Sequence, residues 1–350
     1  MCAELDDAPV LGVGLIGCGQ VAAAHVRDYY AHQGESAELV ACADVDPGIA
    51  AAFAEQHGVP VGCSVEELLA RADVDVVDIC SPPDAHVPLI EHAIGAGKHV
   101  LCEKPLALDW AGGLRVVESA AAAGVQLGVM QNFRWRPEYM DARTALSDGR
   151  LGRATFATLT AQLHWDGVGG YRRVAGPSLL AELTYHYVDL LRFLLDSDVA
   201  RVYAAVGGAL DPGARETYAV LIVDFMCGAV GSISTASDCQ GVSASWGGTA
   251  MVQAERGTVY VNDPVPFRFA AYSPMFGGKL ERQYPREMYS LSSNPPFTAP
   301  LRSYLEAIRD RKRLPVSARD NLNTLAAVLA AGDSAKSGQP VEVEQVTTPA

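Results

Sequence analysis

The chain is 350 residues long, 49% hydrophobic and 19% charged. That excludes a disordered protein and exceeds what one small core holds, so two domains are expected. A formal net charge of −14 sets the molecule against nucleic acid and anionic membrane surfaces, with no basic stripe to offset it. No run of about 18 uncharged apolar residues suggests a membrane span. The first nine residues carry Glu4, Asp6 and Asp7, unlike the basic, apolar opening of a secretory signal. Cysteines fall at 2, 18, 42, 63, 80, 102, 227 and 239 without a Cys-x-x-Cys pair, the nearest approach to a ligand pair being His99 with Cys102. They read as reduced thiols of a cytoplasmic protein, and no metal is expected.

Taken in order, the first third alternates strands and helices. Strands are predicted over 10–16, 38–43, 74–80, 99–102 and 125–130, and helices over 21–32, 47–57, 65–71, 86–96 and 108–123. Such alternation, with strands that are almost continuously apolar, predicts βαβ units around a parallel sheet buried on both faces. Beyond about residue 135 the rhythm changes. A Thr-rich alternating strand at 153–163 precedes a strongly apolar helix at 179–195. Strand-like runs then follow at 202–207, 217–225, 230–236, 250–254, 258–261 and 267–272, close enough to pair antiparallel. A long surface loop over 276–300 and helices over 300–311 and 321–335 complete the chain.

Gly17-Cys18-Gly19-Gln20-Val21-Ala22 joins the first strand to the first helix. Gly17 permits the tight turn, Gly19 admits the pyrophosphate to the backbone, and Ala22 lets helix and strand approach. The helix N-terminus, through Gln20 and Val21, then offers free N–H groups to phosphate. Asp44, at the end of the second strand and 25 residues after Gly19, can accept hydrogen bonds from ribose hydroxyls and would repel a 2′-phosphate, so NAD is expected rather than NADP. A glycine turn that binds no nucleotide is the bland alternative, and Asp46 competes with Asp44 for the ribose. These elements define a Rossmann dinucleotide-binding domain over 1–134, followed over 135–350 by an α+β domain with an open, mainly antiparallel sheet.

Two further segments end parallel strands, where ligands of such sheets bind. They are Cys80-Ser81-Pro82-Pro83-Asp84-Ala85-His86 and Leu101-Cys102-Glu103-Lys104-Pro105-Leu106. An ammonium is costly to bury, so Lys104 is either a solvated loop lysine or a group set beside nicotinamide and a substrate hydroxyl, to hydrogen-bond that oxygen or relay its proton. Pro105 fixes the local turn, which suits a cis bond.

Gly17-Cys18-Gly19 through His25, Ser81-Pro82-Pro83 through His86, and Gly97 through Leu106 with Glu103-Lys104-Pro105 resemble the glucose–fructose oxidoreductase/inositol dehydrogenase (Gfo/Idh/MocA) family. Gln131-Asn132-Phe133-Arg134-Trp135-Arg136-Pro137 is similar to the family's segment between its two domains. The resemblance implies an NAD(P)-dependent dehydrogenase of sugar or cyclitol carbinols, a catalytic lysine at 104, and an open second-domain sheet that mediates a homodimer or homotetramer. Cofactor contacts are expected from Gly17, Gly19, Gln20, Val21, Asp44, Ser81, Pro82, His86, Glu103, Lys104 and Gln131.

In the apolar helix, Glu182, His186 and Asp189 share one face toward the expected cleft. A histidine can take a hydroxyl proton near neutral pH, and a carboxylate one turn away can orient it. The family's Asp-x-x-x-His-x-x-Asp is matched at His186 and Asp189. Glu182 stands for the first Asp, displacing its carboxylate by about 1.5 Å, and Thr184 stands where glycine is common. The catalytic set is therefore Lys104, His186 and Glu182. Asn132, Trp135, Tyr171, Tyr185 and Asp189 are expected at the substrate, with Arg134, His164 and Trp165 as further candidates. Two alternatives share this fold. One is a glycoside hydrolase with tightly held NAD, which some relatives are, and the other is a non-catalytic NAD-binding sensor.

Overall fold

The computed structural model describes residues 10–32, 36–163, 178–208, 216–237, 239, 246–261, 268–271, 279–281 and 297–346. The chain divides into two compact units, Met1–Gln131 with Pro296–Leu322, and Asn132–Pro295 with Asn323–Ala350.

In the first unit, strands β1 (Leu11–Ile16), β2 (Ala37–Ala43), β3 (Gly62–Cys63), β4 (Val76–Ile79), β5 (His99–Glu103) and β6 (Leu127–Met130) form a sheet in the order β3-β2-β1-β4-β5-β6. Every pairing is parallel. Helices α1 (Gln20–Asp28), α2 (Pro47–His57), α3 (Val65–Ala70), α4 (His86–Gly95) and α5 (Trp110–Ala123) supply the crossovers. β1 and β4 are buried throughout, as a sheet covered on both faces requires. The ends of the helices follow local chemistry. Asp46, Ser64 and Asp109 cap α2, α3 and α5, and glycines in the left-handed region close α2 and α5. The predicted α2 is reproduced residue for residue, whereas the helix expected over 21–32 ends at Asp28 and a 3₁₀ turn, Tyr30–His32, follows it.

The second unit opens with α6 (Pro137–Ser147), a helix the sequence reading lacks. Its cue was Pro137 at the first helical position, weakened by a polar, poorly periodic sequence. The sheet comprises β7 (Ala154–Gln162), β8 (Val199–Gly207), β9 (Tyr218–Phe225), β10 (Val230–Ala236), β11 (Thr249–Ala254), β12 (Gly257–Val261), β13 (Arg268–Ala271), β14 (Lys279–Glu281) and β15 (Val341–Glu342). Their order is β14-β13-β12-β11-β7-β10-β9-β8-β15. All neighbours are antiparallel except β7 and β10. Helix α7 (Tyr185–Leu195) packs against β7 and β10 on one face. On the other face Phe156, Tyr203, Tyr218, Val220, Ile222 and Val230 are exposed. Registers Tyr203↔Ile222 and Val230↔Phe156 place them side by side across four strands. β14 lies inside the stretch expected to be a loop; residues 282–296 of that stretch fall outside the described residues.

Helix α8 (Thr298–Arg309) corrects the expected boundary, since residues 296–322 belong to the first unit. Asp28 receives its start, accepting from the Phe297 amide at 3.1 Å through Oδ2 and from the Thr298 hydroxyl at 2.6 Å through its carbonyl. Tyr304 is fully buried, donates its hydroxyl to the Val129 carbonyl, and lies over Gly128, where a Cβ would meet its ring at 2.8 Å. A helix from the chain's last quarter therefore finishes the core of the first unit. α9 (Ala318–Ser337) begins in the first unit and continues in the second. No helix among the described residues is long and apolar enough to cross a membrane. Tyr304→Phe is expected to destabilise the protein by about 1–3 kcal/mol, because it leaves a buried strand carbonyl short of a partner; urea denaturation followed by circular dichroism measures it.

Candidate functional site

The phosphate loop takes the form its sequence dictates. Gly17 has φ +94°, and a Cβ there would lie 2.7 Å from the Ser81 amide nitrogen, so only glycine fits between the ends of β1 and β4. A Cβ at Gly19 would meet nothing within 4 Å. The glycine there is not needed by the protein's own packing and leaves a space for a ligand. The first helical bond of α1 joins the Ala23 amide to the Gly19 carbonyl at 3.0 Å, and Gly19 supplies no side-chain cap. The amides of Gln20, Val21 and Ala22 thus have no acceptor within the helix, as anion sites at helix N-termini require. Ala22 is fully buried.

Asp44 follows β2, and its Oδ2 accepts from the Cys18 amide at 2.9 Å while its Oδ1 accepts from the Asp46 amide at 3.1 Å. These bonds aim the carboxylate at the loop and leave each oxygen a further lone pair. Asp46, the competing residue, accepts from the Gly48 amide at 2.8 Å as the cap of α2.

At the end of β5, Glu103 Oε2 accepts from the Lys104 amide at 3.2 Å, and the Lys104–Pro105 bond is cis. Ser81 and Lys104 are partly exposed and Pro82 is exposed. His86 does not present a face to a cofactor. It is fully buried, its Nδ1 lies 2.7 Å from the Pro105 carbonyl and its Nε2 lies 3.0 Å from the Ser81 carbonyl. It ties the two loops together, and burial holds its pKa below the usual histidine range despite both carbonyls. Gln131 follows β6 one residue beyond the Glu103↔Met130 pair. It is fully buried, and neither end of its carboxamide has a hydrogen-bond partner among the described residues. The open position at Gly19, the unused α1 amides and the orphaned Gln131 amide all fit a dinucleotide.

A cluster that the sequence reading overlooked lies under this loop. His25 of α1 is fully buried, with Nδ1 2.8 Å from Asp78 Oδ2 and Nε2 3.2 Å from Glu103 Oε1. The Tyr30 hydroxyl donates to Asp78 Oδ2 at 2.9 Å, and Cys80 Sγ lies 3.5 Å from His25 Nδ1. Burial opposes a charge on this ring, but the Asp78 carboxylate against it outweighs that, and the pKa is raised well above the usual value. The Cys80 thiol is pushed up to about 12, chiefly by burial. Ligand atoms of His25, Asp78 and Cys80 all lie within 4.8 Å of one another. The 2.8 Å His–Asp contact is nevertheless that of a charge-assisted hydrogen bond. The sequence signal was Asp78 itself, a carboxylate in an otherwise apolar strand, which must have a buried partner.

In the second unit, Glu182 lies in a π-helical turn, Leu180–Thr184, and His186 in the first turn of α7; both are buried. The turn departs from the continuous α-helix expected, with the Tyr185 amide reaching back to the Leu180 carbonyl. Such turns mark functional segments. Thr184, in the place of the family's glycine, is buried with its hydroxyl 2.8 Å from that of Thr235 on β10. The His186 ring stacks on Phe133 with centroids 4.2 Å apart.

Asp189, expected at the substrate, is held by the protein's own groups. It is 1% exposed, receives both arms of Arg134 at 2.6 Å, and accepts from the Thr324 hydroxyl at 3.0 Å. Arg134 is committed to the same pair. Tyr185 is fully buried and belongs to the core, also against expectation. Asn132 is buried and Trp135 partly exposed. Tyr171, His164 and Trp165 lie outside the described residues.

The match to known proteins agrees with this arrangement. Residues 11–131 match the oxidoreductase family NAD-binding Rossmann fold, and residues 139–260 match the GFO/IDH/MocA C-terminal domain. The chain belongs to the Gfo/Idh/MocA oxidoreductase family, and its first unit is that family's NAD-binding fold. An inositol 2-dehydrogenase of Rhizobium meliloti (strain 1021) is 33% identical over 198 residues, which span 57% of this chain and 59% of the relative. A D-apiose dehydrogenase of Paraburkholderia graminis is 28% identical over 95% of this chain and 89% of its own. An oxidoreductase from Agrobacterium radiobacter, solved with NAD+, L-tartaric acid and magnesium, superposes with a TM-score of 0.83 at 24% identity, covering 95% of this chain and 98% of its own.

Asp189→Asn is expected to destabilise the protein by about 3–5 kcal/mol, because it leaves Arg134 buried without its counter-charge. Thermal unfolding, with KM measured on the folded fraction, separates this from loss of a substrate contact, which would raise KM at unchanged stability.

Proposed function

We propose that this protein is an NAD-dependent dehydrogenase or reductase of a secondary alcohol or ketone on a sugar, sugar derivative or cyclitol. The observation that carries the reading is the loop at the β1/β4 switch point. Open space at Gly19, free helix amides, Asp44 and the strand-end Lys104 all serve one cofactor position. Similarity to an inositol 2-dehydrogenase and a D-apiose dehydrogenase supports a polyhydroxylated substrate. Bound NAD supplies the hydride acceptor or donor at nicotinamide C4. Gln20 and Val21 hold its phosphates through backbone amides, and Asp44 holds the ribose hydroxyls while excluding a 2′-phosphate.

Lys104 hydrogen-bonds the reacting oxygen through Nζ and stabilises the charge that develops there. His186 accepts the hydroxyl proton in oxidation and returns it in reduction, and Glu182 tunes the ring. Lys104→Met and His186→Gln should each lower kcat by about 10²- to 10⁴-fold while NAD titration still shows binding. One NADH should appear per substrate consumed in a panel of sugars and cyclitols. Wild-type turnover in both variants overturns the assignment, and turnover without net NADH points to a hydrolase that recycles its cofactor.

The exposed apolar face of the second sheet supports a homodimer or homotetramer built on it, since a row of this kind left in water invites a second copy. Ile222→Glu combined with Val220→Glu should reduce the mass measured by light scattering to that of one chain; an unchanged oligomer moves the interface elsewhere. The free thiols of the described cysteines suit a reducing, cytoplasmic setting.

A further inference from the structure

One fully buried titratable cluster of the first unit has no part in the chemistry assigned above. His25 is fully buried, and each of its ring nitrogens faces a different carboxylate, Nδ1 that of Asp78 on β4 and Nε2 that of Glu103 at the end of β5. A carboxylate only accepts hydrogen bonds and a neutral imidazole carries one N–H. Both contacts are satisfied together only if the ring holds two protons. Phe297 closes over it at 4.3 Å, and Tyr30 supplies a further donor to Asp78. The far oxygen of Glu103 holds the Lys104 amide. A continuous chain therefore runs from Asp78 through His25 and Glu103 to the backbone of Lys104. Its histidine sits on the helix whose N-terminus presents the phosphate-binding amides, about a turn and a half from them.

We propose that His25 is a positioning residue for Lys104, an imidazolium that clamps Glu103 between itself and the Lys104 amide and so fixes the lysine at the nicotinamide end of the site. This rests on the role given to Lys104 above. Without the cation, the buried Asp78 and the partly exposed Glu103 have no donor between them. Glu103 then turns toward water and releases the Lys104 backbone. The effect falls on the chemical step, because the phosphate loop and Asp44 stay in place. Small displacements of a reacting group far from the altered residue are known to be expensive in rate.

The test uses the full-length enzyme with NAD and its best substrate from the panel. His25→Gln is neutral and has both its N–H groups on one nitrogen, so its carboxamide oxygen, an acceptor, takes the place of the other ring nitrogen against a carboxylate. It should lower kcat by about 10- to 100-fold with KM and the NAD dissociation constant within about threefold of wild type. Glu103→Gln should do the same. If His25 acts through Glu103, the double variant should be no slower than the slower single one, since coupled residues are not additive. Asp78→Asn, nearly isosteric, serves in place of His25→Gln if that protein does not fold. In protein labelled with ¹⁵N-histidine, the His25 ring should show both nitrogens protonated at neutral pH, a readout independent of turnover. Wild-type kcat in a folded His25 or Asp78 variant, multiplicative losses in the double variant, or a singly protonated ring each overturn the proposal. Retention of turnover by Lys104→Met would instead overturn the catalytic role of the lysine, so the two failures are told apart.

Discussion

In a parallel sheet every strand runs out on the same edge, and the site of this protein depends on that geometry. β1, β2, β4, β5 and β6 end beside one another, and the loops that follow them carry Gly17, Asp44, Ser81, Lys104 and Gln131. These positions are far apart in the chain and are gathered by the common direction of the strands, with His86 and the Asp44 carboxylate tying neighbouring loops. The sheet order reverses between β1 and β4, and helices leave on opposite faces there, which opens the crevice that the loops line. Gly17 sits at that point with so little room that a methyl group would strike the next strand's backbone.

The same geometry creates a burden beneath the site. Asp78 and Glu103 lie on adjacent parallel strands, and α1 must cross above them to bring its N-terminus to the phosphates. A carboxylate in such a place is tolerable only with a donor against each oxygen. His25, Tyr30, Cys80 and the Lys104 amide supply those donors. Binding and chemistry therefore share one scaffold, with α1 holding phosphate at its start and the acid of the Glu-Lys-Pro turn further along.

Much of this was legible in the sequence where a single local rule governs. The alternation of apolar strands and helices revealed the parallel sheet, and the helix predicted over 47–57 is α2 to the residue. The loop at Gly17–Ala22 announced its own purpose. The parts that were not legible depend on residues distant in sequence. Nothing local joins His25 to Asp78 and Glu103, or Asp189 to Arg134 and Thr324. Asp189 shares a helical face with His186 by periodicity alone, yet its oxygens are taken by Arg134 and Thr324. The π-turn before His186 escaped because an i→i+5 bond leaves no periodic trace over one turn. Tyr185 was assigned to substrate on its residue type, whereas its position makes it core.

The return of residues 296–322 to the first unit has a consequence for how the protein is made. Synthesis proceeds from the N-terminus, and N-terminal domains generally fold first. Here the sheet that carries the phosphate loop is complete at Met130, but the helix that covers Gly128 and supplies Phe297 above His25 emerges only after strands β7–β14 of the second sheet. A nascent chain thus holds an unfinished nucleotide-binding unit, with the buried His25 cluster still uncovered, through the synthesis of more than a hundred residues. Completion of the first unit therefore waits for most of the second sheet, and only the remainder of α9 and strand β15 follow it.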